Sequence, residues 1–397
     1  MNIPVENCSS CGACANVCAQ GAITMQLDKE GFFRPIVDAS KCVHCGLCEK
    51  KCPWTTNVDN PHDAQENPLT FAAYAKDESI RVHSSSGGIF TILSNEILDR
   101  GGVVVGVAQL SPTRFGHIVV ENKTDFAKLQ GSKYVQADVG FVYKIVCELL
   151  KKRRLVLFSG TPCQVAALYA TLGKFASSKE LFTIDIVCHG VPSIKVFEKY
   201  IRELECQEKD LFDDVVFREK ITGWKNYSLL YRFKDGKRFL ENHNQSKYMR
   251  LFLSRICQNT SCCNCRYRKL PRIGDITLGD YWGVAKYHPE MDDDKGTSVV
   301  ILNNKHGFTF FKSIEEKLIL KKTSIEYAVS ENPCIIRSGK QHPQRAEFFK
   351  RLDKENIDEL VTHFFQSKTH ICVFWGVIKY KLKRVLLKIK SFLCIFM

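Results

Sequence analysis

Eight cysteines fall within the first 52 residues, as two copies of one pattern. Cys8, Cys11, Cys14 and Cys18 follow C-x2-C-x2-C-x3-C, and Cys42, Cys45, Cys48 and Cys52 repeat it, with Pro53 after the last. Spacing this tight lets one loop wrap three corners of a cubane cluster, while the fourth thiolate comes from the other copy. On that crossing one cluster takes Cys8, Cys11, Cys14 and Cys52, and the other takes Cys18, Cys42, Cys45 and Cys48. Gly12 and Gly46 sit mid-loop, where a side chain would crowd the cluster. Zinc knuckles want paired C-x2-C units with no third cysteine at the same step, so two complete tandem copies do not fit them. So small a module depends on its clusters for folding.

The pattern resembles the two-cluster bacterial ferredoxin over Met1–Asn57, departing only at Ala19, where a proline usually follows. The resemblance implies two 4Fe-4S clusters and a role in electron relay. The other eleven of the 19 cysteines are uneven too, with Cys257, Cys262, Cys263 and Cys265 close together. A 397-residue chain with 45% hydrophobic residues can bury its own core and needs no staples. Met1–Asn7 lacks a basic or apolar leader segment, and no run reaches the roughly 18 uncharged apolar residues of a membrane span. The reading is a cytoplasmic protein whose cysteines stay reduced and serve metal.

Asn57–Leu69 is polar and broken by Pro61 and Pro68, and reads as a linker. Beyond it strand-like runs (71–75, 103–108, 155–158, 181–187, 273–278, 297–302) alternate with helix-like ones (89–98, 141–150, 162–172, 194–205, 348–365). The expected fold class is an α/β core domain with an N-terminal two-cluster ferredoxin-type α+β module and a C-terminal helical tail. Its boundaries are 1–57 for the module, 58–69 for the linker, 70–345 for the core and 346–397 for the tail.

The core carries five motifs in order. Ser84-Ser85-Ser86-Gly87-Gly88 leads into a helix, and GSKYVQAD follows at Gly131–Asp138. FSGTPCQVAAL spans Phe158–Leu168, DIVCHGVPS spans Asp185–Ser193, and SCCNCRY and RIGDITLGDYWG lie between Ser261 and Gly283. Together they resemble the family of the coenzyme F420 hydrogenase/dehydrogenase beta subunit, including bacterial members with a fused ferredoxin. The resemblance covers most of residues 1–345. It implies a core that binds FAD and a further iron–sulfur cluster, and passes electrons between a hydride-type substrate and other clusters.

Cys163 follows the 155–158 strand and Cys188 ends the 181–187 strand, so both lie at strand ends where ligands of an α/β sheet bind. With the Cys262–Cys265 pair they form the third ligand set that the resemblance implies; Cys257 competes for the fourth position, and Cys263 is expected to be spare. Arg266, Arg268, Lys269 and Arg272 suit a cluster whose four thiolates leave it negative. Neither GxGxxG nor a P-loop is present, so Ser85, Ser86, Gly87 and Gly88 at a helix N-terminus are the candidates to hold a pyrophosphate. Thr161, Trp282, Thr297 and Ser298 are secondary candidates for the FAD pocket. His189, Lys133 and Asp280 are the candidate catalytic residues, with Tyr134 beside Lys133. The 223–225 segment reads either as a substrate lid or as a surface loop.

The net charge of +14 is half tail, since residues 361–397 hold seven basic and no acidic side chains. From Ile378 apolar residues recur at helical spacing with lysines between them, a pattern of membrane-surface or partner-binding helices. Peripheral contact with the inner membrane surface is one expectation, and a terminal helix docked on the core is the other. No groove-reading motif points to nucleic acid. The expected function is that of an iron–sulfur flavoprotein oxidoreductase, with a small-molecule substrate or deazaflavin-type coenzyme and a redox partner protein. The alternative is a non-catalytic subunit that relays electrons to a partner enzyme.

Overall fold

The computed structural model describes residues 7–365. The fourteen described strands are β1 (Ile23–Leu27), β2 (Phe33–Val37), β3 (Leu69–Ala75), β4 (Val103–Ser111), β5 (Arg114–Val120), β6 (Ala137–Asp138), β7 (Val156–Gly160), β8 (Leu181–Ile186), β9 (Phe212–Glu219), β10 (Ser228–Phe233), β11 (Arg238–Asn242), β12 (Ile276–Asp280), β13 (Ser298–Leu302) and β14 (Leu318–Thr323). Nine form one mixed sheet in the order β14-β3-β13-β12-β8-β7-β4-β5-β6, and β11-β10-β9 form a second, antiparallel one. β1 and β2 pair as a hairpin within the cysteine module.

The centre of the large sheet, β4-β7-β8-β12, is parallel. Its strands are short continuous apolar runs because both faces are covered. Alternation sends Val103, Val105, Val156 and Phe158 to one face, against helices Val142–Lys151 and Pro162–Leu172. Val104, Leu157 and Ile184 go to the other face, against helix Ile89–Asp99. All seven strand residues are fully buried, and each contributes roughly 1.5–3 kcal/mol of burial. Cys11 and Ala13 belong to the first of these clusters, so the cysteine module is part of the helical layer.

All six expected strands of the core are present, with shifted ends. The expected single helix over 348–365 is two, Arg345–Arg351 and Ile357–Phe365. The break is a capping box at Asn356. Its Oδ1 accepts from Glu359 N at 2.8 Å while Glu359 Oε2 accepts from Asn356 N at 2.8 Å. These helices belong to a unit, Pro343–Met397, separate from Met1–His342. The basic segment from Ile378 lies outside the described residues. No described helix is long and apolar enough to cross a membrane.

Candidate functional site

The parallel centre brings the ends of β7, β8 and β12 to one edge, and the functional side chains gather there. Cys11, Cys14 and Cys52 are buried, and Gly12 starts the helix Ala13–Val17 at φ 73°, a left-handed conformation that any side chain would strain. Burial pushes the Cys11 thiol up to about 12, with like charge from Cys8 and Cys52 adding to it. Burial raises Cys14 as well, with Cys11, Cys8 and Cys52 as its charged neighbours. The four thiols expected to share one cluster are therefore gathered together. Their loop is held to the core by Tyr143 Oη, which donates to Cys11 O at 2.9 Å, and to the module's own hairpin by Arg34 Nη1, which donates to Cys8 O at 2.6 Å. Cys18 and Cys48 of the other set pack with Ile23, Met25 and Val37, while Cys45 is exposed and Val43 beside it is 62% exposed.

The third set assembles as well. Burial raises the Cys163 thiol well above its ordinary range, reinforced by Cys265, Cys11 and Cys188. Cys262 is pushed up to about 12 by burial and by the thiols of Cys188 and Cys265. The guanidinium of Arg268 faces Cys188, Cys334, Cys265 and Cys262. Of the four cations expected here, it is the one the cysteines surround. Arg266 stacks over Trp54 at 4.6 Å, Lys269 faces Asp59 at 3.8 Å, and Arg272 pairs with Asp185. Cys257 turns its thiol toward Leu251 O at 3.5 Å.

A cavity of about 410 Å³ opens at the same edge, within the range of small-molecule sites. Cys163 and Cys188 line it, together with Ser85, Ser86, Gly88, Thr161, His189, Lys133, Asp280, Trp282 and Ser298 from the expected residues. Thr297 does not; its hydroxyl donates to Met291 O at 2.6 Å. Lys133 borders the cavity but donates to the carbonyls of Lys128, Leu129 and Gln130 at 3.3, 2.9 and 2.6 Å, so its ammonium closes its own loop. Burial lowers its pKa to about 7. His189 is pushed down to about 4 by burial, helped by Arg255 and Arg268, and its ring is neutral at pH 7. Three buried polar atoms on the cavity wall lack hydrogen-bond partners: Ser86 Oγ, His189 Nε2 and Arg218 Nε. Such atoms are costly to bury.

Gly87 does not line the cavity but packs behind its wall, between Ser86 and Gly88, where its N–H donates to Ser298 Oγ at 2.9 Å. A Cβ on it would lie 2.3 Å from Ala73 O and 3.0 Å from Ser298 N. Gly87→Ala is expected to displace the loop at a cost of about 1–3 kcal/mol. Equilibrium titration with flavin checks this: affinity for a cavity ligand should fall at least about tenfold, with iron content unchanged.

Sequence reasoning missed several residues. Arg218 at the end of β9 donates to Asp280 and to Ser85 O. Lys220 Nζ holds the serine loop through Ser86 O at 2.8 Å and Arg81 O at 2.8 Å. Cys334 lines the cavity and accepts from Arg255 Nη2 at 3.4 Å. The FREK run at 217–220 offered only a basic pair after a strand, a signal too common to select. Trp224 is buried, stacked on Trp282 at 4.9 Å and donating to Asp280 Oδ1 at 3.0 Å, so the 223–225 segment is anchored at its centre.

His62, Asp275 and His306 also approach, with ligand atoms within 4.8 Å of one another. The two rings stack face to face at 4.3 Å and 14°, so their in-plane lone pairs run side by side instead of converging on one ion. Asp275 is already engaged by Thr183 and Asn304. The group clamps the linker to the core.

Comparison with known proteins finds relatives over most of the chain. Residues 70–144 match the N-terminal family model of the coenzyme F420 hydrogenase/dehydrogenase beta subunit, residues 153–327 match its C-terminal model, and residues 7–56 match a 4Fe-4S dicluster domain. A coenzyme F420-dependent sulfite reductase of Methanocaldococcus jannaschii is 24% identical over 318 residues, 78% of this chain and 46% of that protein. A subunit of the F(420)H(2) dehydrogenase of Methanosarcina mazei is 23% identical over 195 residues, 46% of this chain and 53% of that one. The alignments thus span about half the length of both relatives. A chain of the F420-reducing NiFe hydrogenase complex from Methanosarcina barkeri aligns with a TM-score of 0.45 at 18% identity, covering 79% of this chain and 96% of that one. With both halves of one family model matched in order behind a dicluster domain, the chain belongs to the family of the coenzyme F420 hydrogenase/dehydrogenase beta subunit, a family of iron–sulfur oxidoreductase type.

Proposed function

We propose that the chain is an iron–sulfur flavoprotein oxidoreductase that passes electrons between a hydride-exchanging substrate in the cavity and a partner protein at the surface. The observation that carries this reading is the position of Cys163. It lines the cavity with Cys188, and its charged neighbours include Cys265 and Cys188 of its own set and Cys11 of the module. Thiols thus lead from the cavity through the third set to the first, and the second set ends at the exposed Cys45. On this reading residues 1–57 hold two clusters, 58–69 connect, and 70–345 form the flavin and third-cluster domain.

Cys163, Cys188, Cys262 and Cys265 would hold the third cluster. Burial makes Cys163, Cys188 and Cys262 resist ionisation, and the same crowding becomes favourable once the sulfurs ligate a cation. Ser85, Ser86, Gly87 and Gly88 precede the eleven-residue helix Ile89–Asp99, whose N-terminus suits the phosphates of FAD. Thr161, Trp282 and Ser298 would line the rest of that site. FAD would supply the conversion between hydride exchange and single-electron transfer. The names of the relatives support a reduced F420-type deazaflavin as the hydride source. His189 and Asp280 would orient substrate and cofactor.

Anaerobic purification with iron and flavin quantification tests the reading. About twelve iron atoms and one FAD per chain are expected. Eight iron atoms and no flavin would favour a relay subunit instead.

A further inference from the structure

Arg218 is buried at 5% exposure and borders the cavity. It reaches Asp280 at 3.2 and 3.4 Å and Ser85 O at 3.4 Å, longer than the 2.7–2.9 Å of close charge-assisted bonds. Its Nε has no partner. A guanidinium carries five N–H donors, shared here among Asp280, Ser85 O and the hydroxyls of Tyr134 and Tyr227, and the long contacts can yield to a stronger acceptor. Aromatic rings flank it, with Tyr227 at 4.0 Å and Trp282 at 5.2 Å, and all three residues line the cavity.

Its position along the sheet says which part of a ligand it meets. β8 and β12 run parallel with Leu278 opposite Ile186, and a Cβ on Gly279 would lie 2.6 Å from Val187. Asp280 and Cys188 therefore come next at the same two strand ends. The guanidinium held by Asp280 thus lies at the same sheet edge as the third cysteine set, where electrons must leave a carrier ring.

We infer that Arg218 holds the negative charge that a planar carrier ring gains in this cavity when it takes up two electrons and one proton from a hydride donor. A neutral ring becomes a monoanion on that uptake, and a fixed buried cation favours the anion over the neutral form. The aromatic flanks suit a flat heterocycle, whereas a phosphate is better served by the helix N-terminus at Gly88. The inference rests on the reading of the cavity as a flavin site.

The test uses the full chain with its clusters, loaded with FAD, comparing wild type with Arg218→Gln and Arg218→Lys. Binding of oxidised and reduced flavin and the two-electron midpoint potential are measured. In Arg218→Gln the reduced form should lose at least about tenfold more affinity than the oxidised form, a potential about 30 mV more negative. Arg218→Lys, which keeps the charge, should shift less. Equal weakening of both forms with an unchanged potential would assign Arg218 to phosphate and overturn the inference, as would no change in either. Wild-type protein that binds no flavin overturns the cavity reading itself. Iron at the wild-type level reports intact folding, and if the glutamine variant loses iron, Arg218→Met, which also removes the charge, carries the test through the same constants.

Discussion

Cys163→Ser should lower bound iron from about twelve to about eight atoms per chain, the loss of one cubane. Cys163 is the thiol with neighbours in two sets, Cys188 and Cys265 on the cavity side and Cys11 in the module. Removing it should therefore interrupt the path where it leaves the cavity. Flavin bound there should still be reduced by a hydride donor, while the module's clusters stay oxidised. Rapid mixing followed at flavin and cluster wavelengths separates the two events. Cys257→Ser is the paired control. Its thiol turns to Leu251 O, and iron should stay near twelve. Unchanged iron in Cys163→Ser, or a loss in Cys257→Ser alone, would move the fourth ligand to Cys257.

The dicluster character of the module was legible because ligand spacing is a local property, readable from eight cysteines without any fold. The strand-end cysteines were legible for a related reason. Continuous apolar runs such as Val103–Val105 and Val156–Phe158 mark parallel strands buried on both faces, and the residues just past their ends must share an edge. Arg218 could not be found that way. It comes from the smaller antiparallel sheet, and only the tertiary arrangement brings the end of β9 to Asp280 at the end of β12. Thr297 failed for the opposite reason: it adjoins Ser298, a true wall residue, but alternation along the chain turns its hydroxyl inward to Met291 O. Lys133 looked like a free cation because sequence cannot show three carbonyls converging on one ammonium.

Arg272 pairs with Asp185, and both side chains are fully buried. Asp185 lies in β8, three residues before Cys188, and Arg272 lies between Cys265 and β12. The pair therefore ties the two chain segments that carry three of the third set's four cysteines. Arg272 also donates to Ile335 O at 2.8 Å and Ile186 O at 3.1 Å, so it fixes a third segment next to Cys334. Two charges taken wholly out of water are tolerated only as a pair, and removing one leaves the other uncompensated. Arg272→Met and Asp185→Ala are each expected to cost about 3–5 kcal/mol, read as a lower denaturation midpoint under anaerobic conditions. Each should also release iron from the third set before the module loses its own. Combining Arg272→Met with Asp185→Val removes both charges and should recover most of the stability, which two independent losses could not do. Single substitutions costing less than about 1 kcal/mol, the size of an exposed pair, would show that the bond does not bear on the fold. Recovery of stability without recovery of iron would separate the two roles: hydrophobic replacements can fill the space, but only the ion pair with its carbonyl contacts aims Cys188 and Cys265 at the same cluster.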